Sequence, residues 1–335
     1  MSVIITRTPF RMSFFGGGTD MPEFFNENGG SVISTTFDKY CYVTARHLPP
    51  FFDYSNELVY SKIERVTNPG EFEHPVVRNA MAMLDMREVR VSYEADLPAR
   101  SGLGTSSSFA VGLINAFHCM KGTYASKKRL AKEAIHLERG LCAEAGGWQD
   151  QIAAAYGGFN RIDFSSSGFS VRPIVMSNER KCELESNLLM FFTGFTRFSS
   201  DMQKVNRVVD KTAQLKEMLA LVDEAEAVLT DKHTSLSRFG ELLDATWRLK
   251  RGTGERISTG PIDELYARGI RAGALGGKLL GAGGGGFLVF YVEPDVQEFM
   301  RAELSDLLHI PFEFESDGAS VVYFDQEDYD PEGSH

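Results

Sequence analysis

The sequence predicts an α+β protein built as two domains, and three observations carry that reading. Its 335 residues suit two domains, or one large one, at roughly 100–200 residues each. Strand-like pairs and helices are mixed without a regular βαβ rhythm, which favours α+β layers. The 32 glycines fall in clusters, and clustered glycine marks places where backbone must come close to something. The other proportions, 43% hydrophobic and 24% charged, argue against disorder and against a coiled coil.

Taken in order, Val3–Thr8 reads as a short strand ending in Pro9-Phe10-Arg11 and running into Gly16-Gly17-Gly18-Thr19-Asp20. A helix starts around Met21-Pro22 and stops at Gly29-Gly30. Ser31–Thr36 and Cys41–Arg46 are β-branched runs, read as paired strands. Val76–Leu84 is helical, and Val89–Ala95 alternates apolar and polar residues like a half-buried strand. Leu97–Ser108 follows and passes into Phe109–Cys119, an apolar stretch with helical spacing. Lys127–Cys142 reads as one amphipathic helix and Trp148–Ala155 as a short one ended by Gly157-Gly158. Phe159–Phe164 and Phe169–Val175 form a hairpin around Ser165-Ser166-Ser167-Gly168.

Ser177–Ser186 reads as helix-breaking, and the domain boundary is placed there, giving domains 1–183 and 184–331. Beyond it come a strand at Leu188–Thr193, a long helical region at Asp201–Thr230, and helices at Ser235–Lys250 and Ile262–Ala272. Leu275–Leu280, a glycine loop Gly281–Gly286 and Phe287–Val292 follow, then a helix at Val296–Leu308 and a strand at Ala319–Phe324. Residues 332–335 read as an expression remnant and are left aside.

Charge narrows the function. With 35 basic against 46 acidic residues, the net charge is −11, a poor basis for general nucleic-acid binding, where affinity comes from Lys and Arg on phosphates. Cys41, Cys119, Cys142 and Cys182 are far apart with no C-x-x-C, which speaks against a zinc site and for a reducing cytoplasm. MSVIITRTPF lacks a signal-peptide apolar region, and no apolar run reaches the 18 or so residues that span a bilayer. The expected partner is a small molecule, with no nucleic acid and no membrane.

The segment Gly102–Ser108 lies between a strand and a helix. First-turn N–H groups there lack intrahelical partners and the helix dipole adds positive charge, so the segment suits a phosphate. Four hydroxyl residues in a row after Gly-Leu-Gly exceed what a helix cap needs. It is neither a P-loop, which requires G-x-x-x-x-G-K-[ST], nor a G-x-S-x-G nucleophile elbow. Gly281–Gly286 formally matches G-x-G-x-x-G, yet it leads into the strand-like Phe287–Val292, whereas the dinucleotide fingerprint opens a helix. It reads instead as a backbone wall packed against something, or as a hairpin turn. Asp20 either caps the following helix or holds a sugar hydroxyl. Asp150, among glycines and alanines, reads as a buried carboxylate that needs a partner, with Arg11 a candidate. Glu138 either lies on a solvated helix face, forms a salt bridge to Arg139 or Lys132, or acts in the site. His118, His136 and His233 are read as structural or surface groups.

Three segments in this order resemble the GHMP kinase superfamily, which includes galactokinase, homoserine kinase, mevalonate kinase and phosphomevalonate kinase. They are Arg7–Asp20, Leu97–Ser108 and Lys278–Phe287, with Gly147–Gln151 between the last two. The resemblance spans nearly the whole chain. It implies an N-terminal ATP-binding domain with an unusual left-handed βαβ crossover, a C-terminal ferredoxin-like domain, and an active site between them. By the same resemblance ATP is the phosphoryl donor, with its phosphates on Pro98, Ser101, Gly102, Leu103, Gly104, Thr105, Ser106 and Ser107 and the third motif, Gly283 and Gly284, closing on the nucleotide. Ser106 and Glu138 are implied ligands of Mg²⁺. Asp150 matches the catalytic aspartate that accepts the proton of the attacking hydroxyl, and Arg11 the basic residue beside it. Gly17, Gly18, Thr19, Asp20 and Gly285 fall to the substrate.

Where galactokinase has Glu-His, this chain has Gly17-Gly18, which leaves room for a different or larger sugar. G-G-G-T-D, Asp38-Lys39-Tyr40, G-W-Q-D-Q, Thr193–Arg197 and Trp247–Arg251 resemble the D-glycero-D-manno-heptose 7-phosphate kinases, which make the 1,7-bisphosphate on the way to GDP-activated heptose. A phosphorylated substrate wants cations, and Arg197, Lys250 and Arg251 are candidates. Three alternatives stand beside this reading. One is an L-fucokinase-like or other sugar 1-kinase, one a mevalonate-kinase-like enzyme, and one a non-catalytic sugar or nucleotide sensor.

Overall fold

The computed structural model describes residues 3–98, 101–194, 211–254, 257–281 and 283–325. Two long strands, β1 (Val3–Phe15) and β2 (Gly30–His47), pair antiparallel from Val3↔Arg46 to Phe15↔Ile33 around the short helix α1 (Pro22–Asn28). The sequence predicts a first strand that stops at Thr8, before Pro9, yet the strand runs on to Phe15. Here Pro9 sits where the register shifts, between Pro9 and Phe10, one of the few places a strand accepts proline. The two runs read as separate strands are one, because Asp38-Lys39-Tyr40 continues extended instead of turning. Phe10, Met12 and Phe14 of β1 are fully buried, so this pair forms the spine of the core.

A small hairpin, β3 (Asn56–Val59) and β4 (Ile63–Val66), is missing from the sequence reading. Its four-residue strands are too short for a periodic signal, and Ile63 faces solvent. β3 pairs parallel with β5 (Val89–Ala95), with α2 (Pro75–Met83) on the crossover. α3 (Thr105–Met120) is buried almost throughout and packs on β1 and β2, as a helix that is apolar all round must.

The next segment differs from expectation. α4 (Lys127–Ile135) does not run on to Cys142 but widens into a π-helical turn, His136–Leu141. Such turns occur often at functional sites, and this one carries Glu138. After α5 (Gln149–Tyr156) comes the expected hairpin of β6 (Asn160–Ser165) and β7 (Gly168–Pro173).

The stretch read as helix-breaking is a helix, α6 (Asn178–Ser186). The Ser177 side chain accepts the Arg180 N–H and caps it. Its nearly all-polar sequence hid the period. What holds it is the buried Arg180, whose guanidinium donates to the carbonyls of Val228, Leu229 and Thr234. Two of those carbonyls end α7 (Thr212–Thr230).

The second sheet contains β8 (Leu188–Phe192), β9 (Gly276–Leu279), β10 (Phe287–Tyr291) and β11 (Leu308–Ile310). Its order is β11-β8-β10-β9, and every pair is antiparallel. Fourth, first, third, second is the ferredoxin-like arrangement. α8 (Ser237–Gly252) and α9 (Gly260–Arg271) pack with it. The expected long helix at 296–308 is shorter, α10 (Gln297–Glu303), and its end belongs to β11. The chain then returns to the first sheet. β12 (Phe314–Glu315) pairs with β2 and β13 (Ser320–Asp325) with β1, in a sheet ordered β13-β1-β2-β5-β3-β4 with β6, β7 and β12 to the side. Among the described residues no helix is long and apolar enough to cross a membrane, and the four cysteines are free.

Candidate active site

Three loops and two helix ends meet in a cleft of about 560 Å³. One wall is the start of α3. Gly104 stands at its N-cap in the left-handed region, with φ +76°, and brings no side chain to cap the turn. By helix geometry the first N–H groups, on Thr105, Ser106 and Ser107, face the cleft and suit an anion. Of the predicted phosphate loop, Gly102, Gly104, Thr105, Ser106 and Ser107 line the cleft. Leu103 is core, Ser101 is buried with its hydroxyl unpartnered, and Pro98 is exposed away from the cleft.

Glu138 sits behind this loop, 1% exposed. Oε1 accepts the Ser106 hydroxyl at 2.7 Å, and Oε2 accepts the Ser107 hydroxyl at 2.6 Å and the Gln151 amide at 2.5 Å. All three partners are neutral. A buried carboxylate held only by neutral donors leaves its charge uncompensated, so a hard cation beside Ser106 suits the pair. No cluster of three or more His, Cys, Asp or Glu suited to a metal exists among the described residues, so any cation here takes most of its ligands from elsewhere. The π turn places the carboxylate inward, so Glu138 does not lie on a solvated helix face.

Across the cleft, Arg11 on β1 and Asp150 in the first turn of α5 form an ion pair. Asp150 Oδ1 receives Nε at 2.8 Å and Nη2 at 2.7 Å. Arg11 Nη1 donates to the Gly102 carbonyl at 2.7 Å, and the Arg11 N–H donates to the Leu103 carbonyl at 3.1 Å. One arginine thus ties the phosphate loop to the aspartate. The Arg11 side chain is 4% exposed and that of Asp150 23%, so the carboxylate is the accessible partner.

Asp20 does not cap α1, where Met21 holds the cap position. It serves α5 instead. Oδ1 accepts the Gly18 N–H at 2.8 Å, Oδ2 the Gln149 N–H at 3.3 Å, and its carbonyl the Trp148 N–H at 3.1 Å. Burial raises its pKa, opposed by the Gly18 hydrogen bond, while the charge of Asp150 raises it further. Gly17 and Gly18 line the cleft with it. Thr19 does not, because its hydroxyl turns inward to the carbonyls of Gly16 and Ser31.

The third glycine segment joins β9 to β10 as a wall. A Cβ on Gly286 (φ +114°) would stand 2.0 Å from the Ser101 carbonyl oxygen, so this position requires glycine. Gly284 N–H donates to the Ile257 carbonyl at 3.2 Å. Gly281 reaches the cleft, whereas Gly283, Gly284 and Gly285 are not among the residues lining it.

Of the three candidate cations, Lys250 lines the cleft and donates to the Gly281 carbonyl at 2.8 Å. Arg251 turns toward α9, pairing with Asp263 at 2.9 Å over the Tyr266 ring. Arg197 lies outside the described residues. Sequence reasoning missed Ser13, Gln149, Gln151 and Lys278. The signal for Lys278 was a single charge in an apolar and glycine run, and Gln149 and Gln151 flank the aspartate already singled out.

Two family models match the chain. The N-terminal domain model of the GHMP kinases matches residues 74–158, and the C-terminal model matches 203–309. The chain is also 30% identical over 311 residues to a D-glycero-α-D-manno-heptose 7-phosphate kinase of Campylobacter jejuni, covering 88% of this chain and 91% of that one.

The chain belongs to the GHMP kinase family.

As a GHMP kinase it is an ATP-dependent phosphotransferase, of the sugar-kinase type that its heptose-kinase relative represents. It is 25% identical to an L-fucokinase/L-fucose-1-P guanylyltransferase of Bacteroides fragilis, covering 89% of this chain but only 35% of that longer protein. Among solved structures, a D-glycero-D-manno-heptose 1-phosphate kinase from Bacteroides thetaiotaomicron superposes with a TM-score of 0.77 at 24% identity, over 96% of this chain and 99% of that one. Galactokinase of Lactococcus lactis gives 0.70 at 15% identity over 95% of each. Both show the shared two-domain fold.

Proposed function

We propose that this enzyme phosphorylates the anomeric hydroxyl of D-glycero-D-manno-heptose 7-phosphate, giving the 1,7-bisphosphate used toward GDP-heptose. The observation that carries the chemistry is the Arg11–Asp150 pair facing the Ser106–Glu138 pair across one cleft. Asp150 accepts the proton of the attacking hydroxyl. Arg11 holds the Asp150 carboxylate in place and offsets charge on the transferring group. The N–H groups at the start of α3 cradle the phosphates of ATP. Phosphoryl transfer needs little covalent help, so positioning and charge do most of this. Ser106 and Glu138 are the residues that would hold Mg²⁺, which when bound neutralises phosphate charge. Lys250 is the described cation best placed for a phosphate on the acceptor. The heptose specificity is supported by the 30% identical relative and by Gly17-Gly18, which leave the acceptor side open.

The test is coupled ATP turnover with D-glycero-D-manno-heptose 7-phosphate, the unphosphorylated heptose and L-fucose, with product position read by phosphorus NMR. A 1,7-bisphosphate made far more efficiently than the other products is expected. Preferred turnover of L-fucose overturns the heptose assignment and keeps the kinase. In the same assay, Glu138→Gln is expected to need much more Mg²⁺ for half-maximal rate. An unchanged Mg²⁺ requirement removes Glu138 from the metal site.

A further inference from the structure

Gly17 lies over a polar floor of the cleft. A Cβ on it would stand 3.5 Å from Lys250 Nζ, 3.7 Å from Ser13 Oγ and 3.8 Å from Gln149 Nε2. Three groups near this floor are under-used. The Ser13 hydroxyl and the Gln149 amide oxygen are buried with no hydrogen-bond partner. Lys278 is 1% exposed and donates to the Phe14 carbonyl at 2.8 Å, and an ammonium carries three donors. Burial, then the nearby charges of Lys250 and Arg11, lower its pKa well below the usual lysine range, with Asp20 opposing. All three residues line the cleft. Unmatched buried polar groups cost stability, and Leu or Met at 278 would fold more readily than an unpaired lysine.

We infer that Ser13 and Gln149 beside Gly17, with Lys278 lining the same cleft, form a subsite that reads ring hydroxyls of the acceptor. The inference rests on the sugar-kinase reading and adds to it the residues that discriminate between sugars. The chemistry selects hydroxyl over phosphate. A phosphate dianion offers only acceptors, so it satisfies Lys278 but leaves the amide oxygen of Gln149 unmatched. A hydroxyl donates and accepts, and the set presents both kinds of partner whichever way the amide is turned. Gly17 matters because any side chain there would occupy the volume above the floor.

The experiment compares wild type, Gly17→Ala and Lys278→Met by acceptor and ATP kinetics, using heptose 7-phosphate, L-fucose and monodeoxy analogues of whichever turns over. Deleting the hydroxyl that the subsite reads is expected to lower wild-type kcat/KM by about a hundredfold or more. The same deletion should cost Lys278→Met several-fold less. Gly17→Ala meets its neighbours only at van der Waals distance, so it keeps the test valid if Lys278→Met fails to fold. Its acceptor KM should rise about tenfold with ATP KM within twofold. Equal shifts in both KM values, or equal deoxy penalties in wild type and Lys278→Met, overturn the subsite alone. No sugar-dependent turnover in wild type overturns the sugar-kinase reading and the subsite with it.

Discussion

Arg11 holds a single oxygen of Asp150 through two nitrogens, Nε at 2.8 Å and Nη2 at 2.7 Å. With Oδ1 thus engaged, Oδ2 is the oxygen that the proposed mechanism uses to take a proton from the acceptor. The third guanidinium nitrogen holds the Gly102 carbonyl, so one side chain links the Gly102 loop to Asp150.

Asp150→Asn keeps one oxygen for Arg11 but removes the proposed proton acceptor. Turnover should fall about 10²–10⁴-fold, while ATP affinity measured by calorimetry changes little. Full activity in Asp150→Asn would refute the proton-transfer role.

Gly147 packs against the same aspartate that caps α5. A Cβ there would stand 1.8 Å from Asp20 Oδ2, so Gly147→Ala must displace Asp20 from the N–H groups of Gly18 and Gln149. A loss of about 2–3 kcal/mol is expected from urea unfolding. Gly252→Ala, with nothing within 4 Å, is the control and should be neutral or slightly stabilising.

Lys278 makes stability depend on pH in a definite direction. Its folded pKa is lowered by burial and by Lys250 and Arg11, so between that value and the unfolded one the unfolded chain binds more protons. Stability of the wild type therefore rises with pH across that window. Lys278→Met should be more stable at pH 7 by about 1–4 kcal/mol, and its advantage should shrink toward pH 10. A constant gap between the two proteins from pH 7 to 10 would contradict the argument.

The local motifs were legible because local physics sets them. The helix start at Gly102–Ser108 and the glycine connection between β9 and β10 are legible because positive φ and exposed first-turn N–H groups are properties of short segments. Asp150 was marked as a carboxylate in need of a partner by its small neighbours. Read with the resemblance they carry, the three glycine segments gave the family and the two-domain class.

Tertiary structure decided which of the named side chains meet. Lys250 and Arg251 are equivalent in a sequence, yet about 100° apart around a helix, so one faces the cleft and the other Asp263. Asp20 caps a helix more than a hundred residues away, and Lys278 reaches Phe14 across 264 positions. No periodicity records such contacts, because they exist only once segments distant in the sequence have packed together. The sequence by itself determined the backbone cradles and the chemistry available to them. Only the packed fold determined which charges are buried, which are paired, and which are left for a ligand to satisfy.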